Sequence, residues 1–355
     1  MQIGVITNPH SRKNKARPHR AEQLQAIVGH HGQVHSTQSV ESIKPILRDF
    51  LRKRAQYWVA DGGDGALHWV VRNGLELLQE PEFQGGDYQL PTTIPTNGGT
   101  IDFVASNVGI TGQAEGILHN LRESIETGTV LGETLVDSML IEGIQIDENG
   151  NEEEFRTYGF ASAVGGLGQR FFSKYYAEDD PSPSVIVKVV GNTIASLPVA
   201  YSPIGKIPFP VVPKHLRTYA TEMFKPANVR VTLDGQELEE TQFTGVHIAS
   251  MSIDLGGVFK LFTRADVPGQ MHALVGSPNP FQILRNLGNM HRGKQLRGKN
   301  LIDRACTGMT VEVLGDELLA PIIDGEYYER VKSLTFKNGP RVRIPKLTGA
   351  RPASH

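Results

Sequence analysis

Apolar and polar positions follow one pattern up to about residue 132 and another beyond it. In the first part, short apolar runs alternate with stretches in which apolar residues recur at helical spacing. The predicted strands are 3–7, 33–36, 57–60 and 93–95, and the predicted helices are 16–29, 43–53 and 67–78. Strands that alternate with helices in this way predict a doubly wound α/β domain with a parallel sheet.

The second part consists mainly of short apolar strands divided by Gly, Pro, Asp and Asn. The predicted strands are 135–146, 154–160, 229–233, 245–249, 258–262, 272–275 and 309–313, and the predicted helices are 185–197 and 281–290. Many short strands at this spacing are typical of an antiparallel sandwich. We therefore predict an α/β domain at 1–132 and a mostly β domain at 133–325. A closing strand at 326–347 is able to return to the first domain, and residues 348–355 are predicted to be a disordered tail.

Composition and charge narrow the classes of function. The chain has 355 residues with 36 Lys and Arg against 38 Asp and Glu, a formal net charge of −2, so no nucleic-acid partner is expected. Its one cysteine excludes an intrachain disulfide. The chain opens on a strand-like run without a secretion signal, and the apolar run 185–190 is interrupted by Lys188 and followed by Gly191. We expect a cytoplasmic protein whose membrane contact, where it occurs, is peripheral and at the inner face.

The segment 61–66, Asp-Gly-Gly-Asp-Gly-Ala, follows the predicted strand 57–60 directly and precedes the predicted helix 67–78. Glycines at the carboxyl end of a strand let backbone amides approach phosphate oxygens, and the following helix adds the positive end of its dipole. The same sequence also fits a tight strand-to-helix turn without a ligand.

Two further segments of this kind favour phosphate binding. Residues 95–102, Pro-Thr-Asn-Gly-Gly-Thr-Ile-Asp, follow the predicted strand 93–95, and residues 8–13, Asn-Pro-His-Ser-Arg-Lys, follow the predicted strand 3–7. The carboxyl ends of parallel strands share one edge of a sheet, which brings these segments to one place. The chain contains no Walker loop, no dinucleotide-binding glycine motif and no protein-kinase motif set.

In these segments the sequence resembles the diacylglycerol kinase catalytic family, which includes sphingosine and ceramide kinases and is structurally akin to NAD kinases. The family pattern runs Asn-Pro-x-Ser/Ala-Gly, then Gly-Gly-Asp-Gly-Thr, then Pro-x-Gly-Thr-x-Asn-Asp-Phe-Ala, and finally Asp-Gly-Glu. The matching residues are Asn8-Pro9-His10-Ser11, Gly62-Gly63-Asp64-Gly65, Gly98-Gly99-Thr100, Asp102-Phe103-Val104-Ala105 and Asp324-Gly325-Glu326.

The resemblance implies an ATP-dependent lipid kinase with a nucleotide-binding domain at 1–132 and a lipid-substrate domain at 133–325, with ATP and lipid meeting in the cleft between them. The residues that it assigns to ATP and its Mg²⁺ are Asn8, Ser11, Thr37, Gly62, Gly63, Asp64, Gly65, Gly98, Gly99, Thr100, Asp102 and Glu326. Asp64 and Glu326 would be the metal ligands. Asp324 would be the general base that takes the proton of the lipid hydroxyl, and Asp64 the second catalytic residue.

Three readings of the function stay open at this point. The first is a lipid kinase acting on diacylglycerol, ceramide or a sphingoid base; the others are a NAD kinase-like enzyme and a lipid-binding pseudokinase without activity. The pseudokinase hypothesis is motivated by departures from the family pattern: Ala66 replaces threonine, Asp102 replaces asparagine, and Arg12 replaces glycine. Pro268-Gly269 stands where many bacterial relatives have Asp-Gly, which puts a second metal site in doubt.

Two features of the second domain have a structural and a functional interpretation. Asp324-Gly325 also fits a hairpin turn. The basic stretch 281–304 is either a solvated loop or a surface that rests on anionic lipid and presents the lipid substrate. The histidines His68, His247, His272 and His291 lack ligand spacing, so structural or surface roles are expected for them rather than a zinc site.

Overall fold

The computed structural model describes residues 1–178, 182–201, 212–255 and 257–349. The chain forms two compact units, Asp137–Pro340 as one and Met1–Val136 together with the chain from Arg341 onward as the other. The predicted tail 348–355 lies outside the described residues from position 350 onward. At its start, the Gly349 N–H donates to the Thr111 carbonyl.

The first unit contains a four-stranded parallel sheet with the order β2-β1-β3-β4. Its strands are β1 (Ile3–Thr7), β2 (Gly32–Ser36), β3 (Tyr57–Asp61) and β4 (Thr92–Pro95). Its helices are α1 (Arg20–Val28), α2 (Ile43–Arg52), α3 (Asp64–Leu77), α4 (Pro81–Gln84), α5 (Phe103–Asn107) and α6 (Ala114–Thr127), with a 3-10 turn at Gly29–His31. Every residue of β1 is buried, as expected for a strand inside a parallel sheet covered on both faces. The predicted α/β class is confirmed.

The second unit is built on two large antiparallel sheets. The seven-stranded sheet has the order β10-β8-β16-β19-β5-β6 with β9 beside β8, and the six-stranded sheet has the order β15-β14-β11-β7-β17-β18. The first comprises β5 (Glu133–Ile146), β6 (Glu152–Gly159), β8 (Ala227–Leu233), β9 (Gln236–Glu237), β10 (Gln242–Phe243), β16 (Gly308–Val313) and β19 (Val331–Pro345). The second comprises β7 (Ala161–Gly166), β11 (Gly245–Ala249), β14 (Met271–Gly276), β15 (Leu301–Cys306), β17 (Ile322–Ile323) and β18 (Glu326–Tyr327).

One apolar core joins these two sheets. The seven-stranded sheet contributes residues such as Ile141 and Val231, and the six-stranded sheet contributes Val164, Ile248 and Val275. Along β8, buried and exposed positions alternate, which is the pattern of a strand with one face on a core. The predicted antiparallel sandwich is therefore confirmed. A separate hairpin pairs β12 (Ile253–Leu255) with β13 (Phe259–Leu261).

Among the residues that the structure describes, the second unit also contains the helices α7 (Leu167–Tyr176), α8 (Pro183–Tyr201), α9 (Lys214–Met223) and α10 (Pro280–His291). The sequence predicts α8 and α10 but not α7 or α9.

The helix α8 continues through Gly191, as the predicted helix 185–197 does, and extends four residues further to Tyr201. Packing of Leu197 against Met223 and Phe224 offsets the helix cost of one glycine, about 1 kcal/mol. The window Ser184–Tyr201, with mean hydropathy 1.4, is long and apolar enough to cross a membrane by length and composition, which is weak evidence by itself.

Candidate functional site

The strands β1, β3 and β4 end together at one edge of the parallel sheet. Thr7 at the end of β1 is in register with Asp61 at the end of β3, and Ala60 is in register with Pro95 of β4. Three segments leave this edge: the first loop (8–14), the second loop (62–65) and the third loop (96–102). Thr37, which follows β2, joins them by donating its buried N–H to the Thr7 carbonyl at 3.1 Å.

The second and third loops touch backbone to backbone. The Gly98 N–H donates to the Gly62 carbonyl at 2.9 Å. A Cβ on Gly98 would lie 2.7 Å from the Gly62 Cα, and a Cβ on Gly63 would lie 2.8 Å from the Gly99 Cα. Carbon atoms prefer separations of about 3.5–4.0 Å, so only glycine fits at these positions. The two glycine pairs thus form one continuous surface of main chain.

This surface contains groups that suit an anion. The helix α3 begins at Asp64 with Gly63 as its N-cap and without a capping side chain, so its positive end faces this edge. The Ser11 Oγ of the first loop is buried and has no hydrogen-bond partner among the described residues. Lys13 is half exposed, and its ammonium donates to the Asn97 carbonyl. A buried hydroxyl beside a helix N-terminus and a lysine matches the donors that hold phosphate groups.

Asn8 and Thr100, two of the predicted nucleotide ligands, belong to these loops. The Asn8 N–H donates to the Asp61 carbonyl at 3.0 Å, and its Oδ1 accepts the His10 N–H at 2.9 Å, which fixes the turn of the first loop. A Cβ on Gly62 would lie 3.6 Å from the Asn8 Cβ, so Asn8 stands next to the second loop. Thr100 is partly buried in the third loop.

Asp64 caps a helix in this structure. Its Oδ2 accepts the Phe103 N–H at 3.1 Å and its Oδ1 accepts the Val104 N–H at 3.2 Å, at the start of α5. The carboxylate therefore ties the second loop to the end of the third.

Asp102 shows what replaces the asparagine of the family pattern. It adopts a left-handed conformation with φ 50°, which Asp and Asn tolerate better than other side chains. Its Oδ1 accepts the Gly99 N–H at 2.9 Å, and its Oδ2 lies 3.6 Å from the Lys13 ammonium. Burial raises the pKa of Asp102, and Lys13 and the Gly99 amide reduce that rise. The side-chain oxygen at this position accepts the Gly99 N–H, and aspartate supplies such an oxygen as asparagine would.

A buried ion pair holds the three loops together. Asp61 is fully buried, and its carboxylate accepts from the Arg20 Nε and Nη2, each at 3.0 Å. It also accepts from the hydroxyl of Thr7 at 2.7 Å, the amide of Asn14 at 3.1 Å and the hydroxyl of Thr96 at 3.2 Å. Asp61 therefore contacts the end of β1, the first loop and the third loop at once.

Arg20 compensates the charge of Asp61. Burial acts to lower the pKa of Arg20, but hydrogen bonds and charge from Asp61 and Glu115 outweigh it and raise that pKa. The sequence analysis did not identify this pair as part of the site. The sequence feature that could have indicated the pair is a charged residue, Asp61, at the end of the apolar strand β3, together with Arg20 in α1.

The chain supplies few carboxylates for a metal ion at this edge. Within the described ranges, no group of three or more His, Cys, Asp or Glu side chains could hold one. Mg²⁺ commonly binds through one or two carboxylates, water and substrate phosphates. Asp64, whose carboxylate accepts the Phe103 and Val104 N–H groups, is the predicted protein ligand for such an ion at this edge.

Asp324 and Gly325 form the two-residue turn between β17 and β18, since Ile323 pairs with Glu326. Both turn residues have positive φ, 51° and 93°, as tight hairpins of this kind require. The hairpin interpretation is therefore correct for the backbone. Glu326, the other predicted metal ligand, is partly exposed on β18.

The side chain of Asp324 does more than a turn requires. It is 4% exposed, and its carboxylate accepts the N–H groups of Phe160 at 3.0 Å and Ala161 at 2.8 Å, where β6 passes into β7. These bonds fix the orientation of a buried carboxylate at the end of the six-stranded sheet.

Aromatic side chains surround the Asp324 turn. A Cβ on Gly325 would lie 2.9 Å from the Tyr176 hydroxyl, and the rings of Tyr176 and Tyr327 are 6.2 Å apart. Burial raises the pKa of Tyr327, and a hydrogen bond with Ser173 of α7 partly opposes it. The Tyr176 hydroxyl therefore lies beside the turn, and the Tyr327 ring packs edge-on against the Tyr176 ring.

The histidines have structural partners. The His272 Nε2 is 2.6 Å from the Asp303 carboxylate, and its Nδ1 accepts the Arg264 N–H at 3.2 Å. The His247 Nδ1 donates to the Leu274 carbonyl at 3.2 Å, and burial lowers the pKa of His247 to about 4.

Comparison with known proteins agrees with this arrangement. Residues 2–133 match the family model of the diacylglycerol kinase catalytic domain. No curated protein matches the chain.

Several solved structures share the fold. A protein from Bacillus anthracis strain Sterne, provisionally described as a diacylglycerol kinase, is 12% identical with a TM-score of 0.59, covering 99% of this chain and 98% of its own. Another structure from the same strain, titled a diacylglycerol kinase, is 12% identical with a TM-score of 0.55, covering 97% of this chain and 96% of its own. At this identity the likeness shows the fold alone. The family resemblance of the loops is thus confirmed: residues 2–133 match the diacylglycerol kinase catalytic domain, and the chain has the fold of structures described as diacylglycerol kinases.

Proposed function

We propose that this chain is an ATP-dependent lipid kinase that transfers the γ-phosphoryl group of ATP to a hydroxyl of diacylglycerol, ceramide or a sphingoid base. One observation carries the proposal: the second and third loops meet backbone to backbone at the carboxyl edge of the parallel sheet, beside the buried Ser11 hydroxyl. Phosphoryl transfer depends mainly on positioning and on neutralising charge, and this surface supplies both.

The first unit is the nucleotide-binding part in this proposal. Gly62, Gly63 and Gly65 offer main chain to the phosphates, with Gly98, Gly99 and Thr100 beside them on the same surface. Lys13 adds a positive charge that is half exposed and beside the third loop. Magnesium bound with ATP would neutralise the phosphate charge during transfer, with Asp64 as its protein ligand.

The second unit supplies the acceptor side. A lipid hydroxyl is a poor nucleophile, so it needs a base within hydrogen-bond reach as it attacks. We assign this role to Asp324 because its carboxylate is buried and is oriented by the Phe160 and Ala161 amides, on a turn that has the Tyr176 hydroxyl beside it. The proton of the hydroxyl moves to the Asp324 carboxylate, and the hydroxyl oxygen bonds to the γ-phosphorus as the bond from that phosphorus to the β,γ-bridging oxygen breaks, so that ADP leaves with the bridging oxygen.

A panel of acceptors tests the proposal. The purified chain is incubated with Mg²⁺, ATP and one acceptor: dioctanoylglycerol, short-chain ceramide, sphingosine, monoacylglycerol or NAD, and ADP release is measured by a coupled assay. We expect release that depends on at least one lipid. Release that depends on NAD alone would identify a NAD kinase-like enzyme instead. The absence of acceptor-dependent release, in a protein that still binds lipid, would favour the pseudokinase.

A further inference from the structure

Helix α10 presents apolar side chains to solvent on one face. Phe281 is 72% exposed and Leu284 is 45% exposed, and Arg285 lies next to them because positions three and four apart share a helix face. Ile283, in contrast, packs toward the Leu197, Met223 and Phe224 cluster beneath. The helix is therefore fixed to its unit by one face, while the other carries exposed apolar area.

The loop that follows α10 is fixed to the helix by hydrogen bonds rather than freely solvated. The Asn286 side chain is 3% exposed; its Nδ2 donates to the Arg297 carbonyl at 2.8 Å, and its Oδ1 accepts the Arg297 N–H at 2.9 Å. The Lys294 N–H donates to the Asn289 carbonyl at 2.8 Å. These bonds hold the loop 292–299 against the helix.

The loop and helix together carry exposed cations without neighbouring carboxylates in the sequence. The exposed cations are Arg285, Arg292, Lys294, Arg297 and Lys299. None of them forms an ion pair with a described residue, whereas Arg230, Lys332 and Lys337 of the same unit are each paired with a glutamate. Residues 267–302 contain no Asp or Glu. Asp303, the next carboxylate, is buried and bonded to Arg264 and His272.

We propose that this surface, Phe281, Leu284 and the five cations, docks the protein on an anionic lipid bilayer. Cations attract the negative surface of such a bilayer, and exposed apolar side chains enter its interfacial region. A nucleic acid would be attracted by the cations but would give Leu284 no favourable partner. The purpose of docking, access to a lipid substrate, rests on the proposed function; the binding itself does not.

Vesicle co-sedimentation without ATP tests the proposal. The full chain is mixed with phosphatidylcholine vesicles that contain 30% phosphatidylglycerol, and with pure phosphatidylcholine vesicles. The charge variant is Arg292→Gln/Lys294→Gln/Arg297→Gln, and the apolar variant is Phe281→Ser/Leu284→Ser. The control variant Arg230→Gln/Lys332→Gln/Lys337→Gln makes the same change in net charge at exposed positions outside the surface.

We expect wild-type protein to bind the anionic vesicles, with an affinity that falls in 0.5 M NaCl because salt screens exposed charges. The charge variant should bind about a hundredfold more weakly, since each basic residue near an anionic surface contributes roughly a factor of five. The apolar variant should also bind more weakly, and the control variant should bind like the wild type. Circular dichroism checks that all variants are folded.

The proposal is overturned if the charge variant keeps wild-type binding, or if the control variant loses as much. Binding to single-stranded RNA with no binding to anionic vesicles would also overturn it, in favour of a nucleic-acid surface. The kinase assay with soluble dioctanoylglycerol is a separate readout. A chain that binds vesicles through this surface but phosphorylates no lipid would retain the inference and refute the proposed function.

Discussion

Gly98→Ala adds a single methyl group where the second and third loops touch. The new Cβ would lie 2.7 Å from both the Cα and the carbonyl oxygen of Gly62. Relief to an ordinary carbon–carbon distance requires a movement of about 1 Å. Because both partners are main chain, no side-chain rotation can absorb this movement, and the loops must separate.

Two effects of different size follow from that separation. The overpacking should cost about 1–3 kcal/mol in the free energy of unfolding. A displacement of about 1 Å in groups that position a substrate can reduce catalysis by roughly 10²-fold. We therefore expect Gly98→Ala to be folded at room temperature, with a higher KM for ATP and a kcat at least tenfold lower.

Steady-state kinetics with ATP and the best lipid of the panel measures both parameters, and urea unfolding measures stability. Gly85→Ala is the matched control, since Gly85 lies in the same unit with φ −91° and no heavy atom within 4 Å of an added Cβ. Wild-type kcat and KM for ATP in Gly98→Ala would refute the reasoning that these loops hold the phosphates.

Three further predictions concern single side chains. Asp324→Asn should lower kcat by roughly 10²-fold with little change in ATP affinity, because the amide cannot take a proton; a lost ATP affinity with normal kcat would make Asp324 a binding or turn residue instead. Arg20→Met should lower the free energy of unfolding by about 3–5 kcal/mol, since it leaves the Asp61 charge buried and unpaired, and a loss below about 1 kcal/mol in urea titrations would contradict the role of the pair. His247→Gln should flatten the pH dependence of stability: with the folded pKa near 4 and the unfolded pKa near 6.5, the unfolded state binds the proton first, so wild-type stability falls as the pH drops from 6.5 to 4. Because His247 is partly exposed, we expect that fall to be about 2 kcal/mol, and equal slopes for wild type and His247→Gln would show that His247 does not cause it.

The sequence predicts the parallel sheet and its loops because the signals there are local. Each apolar strand of the first unit is followed at once by glycine or small polar residues. The loops at the carboxyl edge of the sheet can therefore be recognised from segments of six to eight residues. The sandwich is predictable for the same reason, since strands such as β8 alternate in polarity. The roles assigned to individual loop residues remain predictions.

Contacts between distant residues are what the sequence does not reveal. Asp61 and Arg20 are 41 positions apart, and nothing near either residue indicates that they pair. The amides that hold Asp324 come from Phe160 and Ala161, more than 160 positions earlier. The strand β7 was missed because it consists of Ala, Ser, Val and Gly buried throughout, which gives no alternation between apolar and polar positions.

The most direct test of the central claim measures the transfer of labelled γ-phosphate from ATP to a lipid. The chain is incubated with Mg²⁺, dioctanoylglycerol, short-chain ceramide or sphingosine, and ATP labelled in the γ-phosphate, and the lipid fraction is extracted and separated. The account predicts label in a phosphorylated lipid whose mass exceeds that of its acceptor by one phosphoryl group, and much less label with Gly98→Ala than with Gly85→Ala. Label that stays in ATP, or appears only in inorganic phosphate with every lipid acceptor, would contradict it.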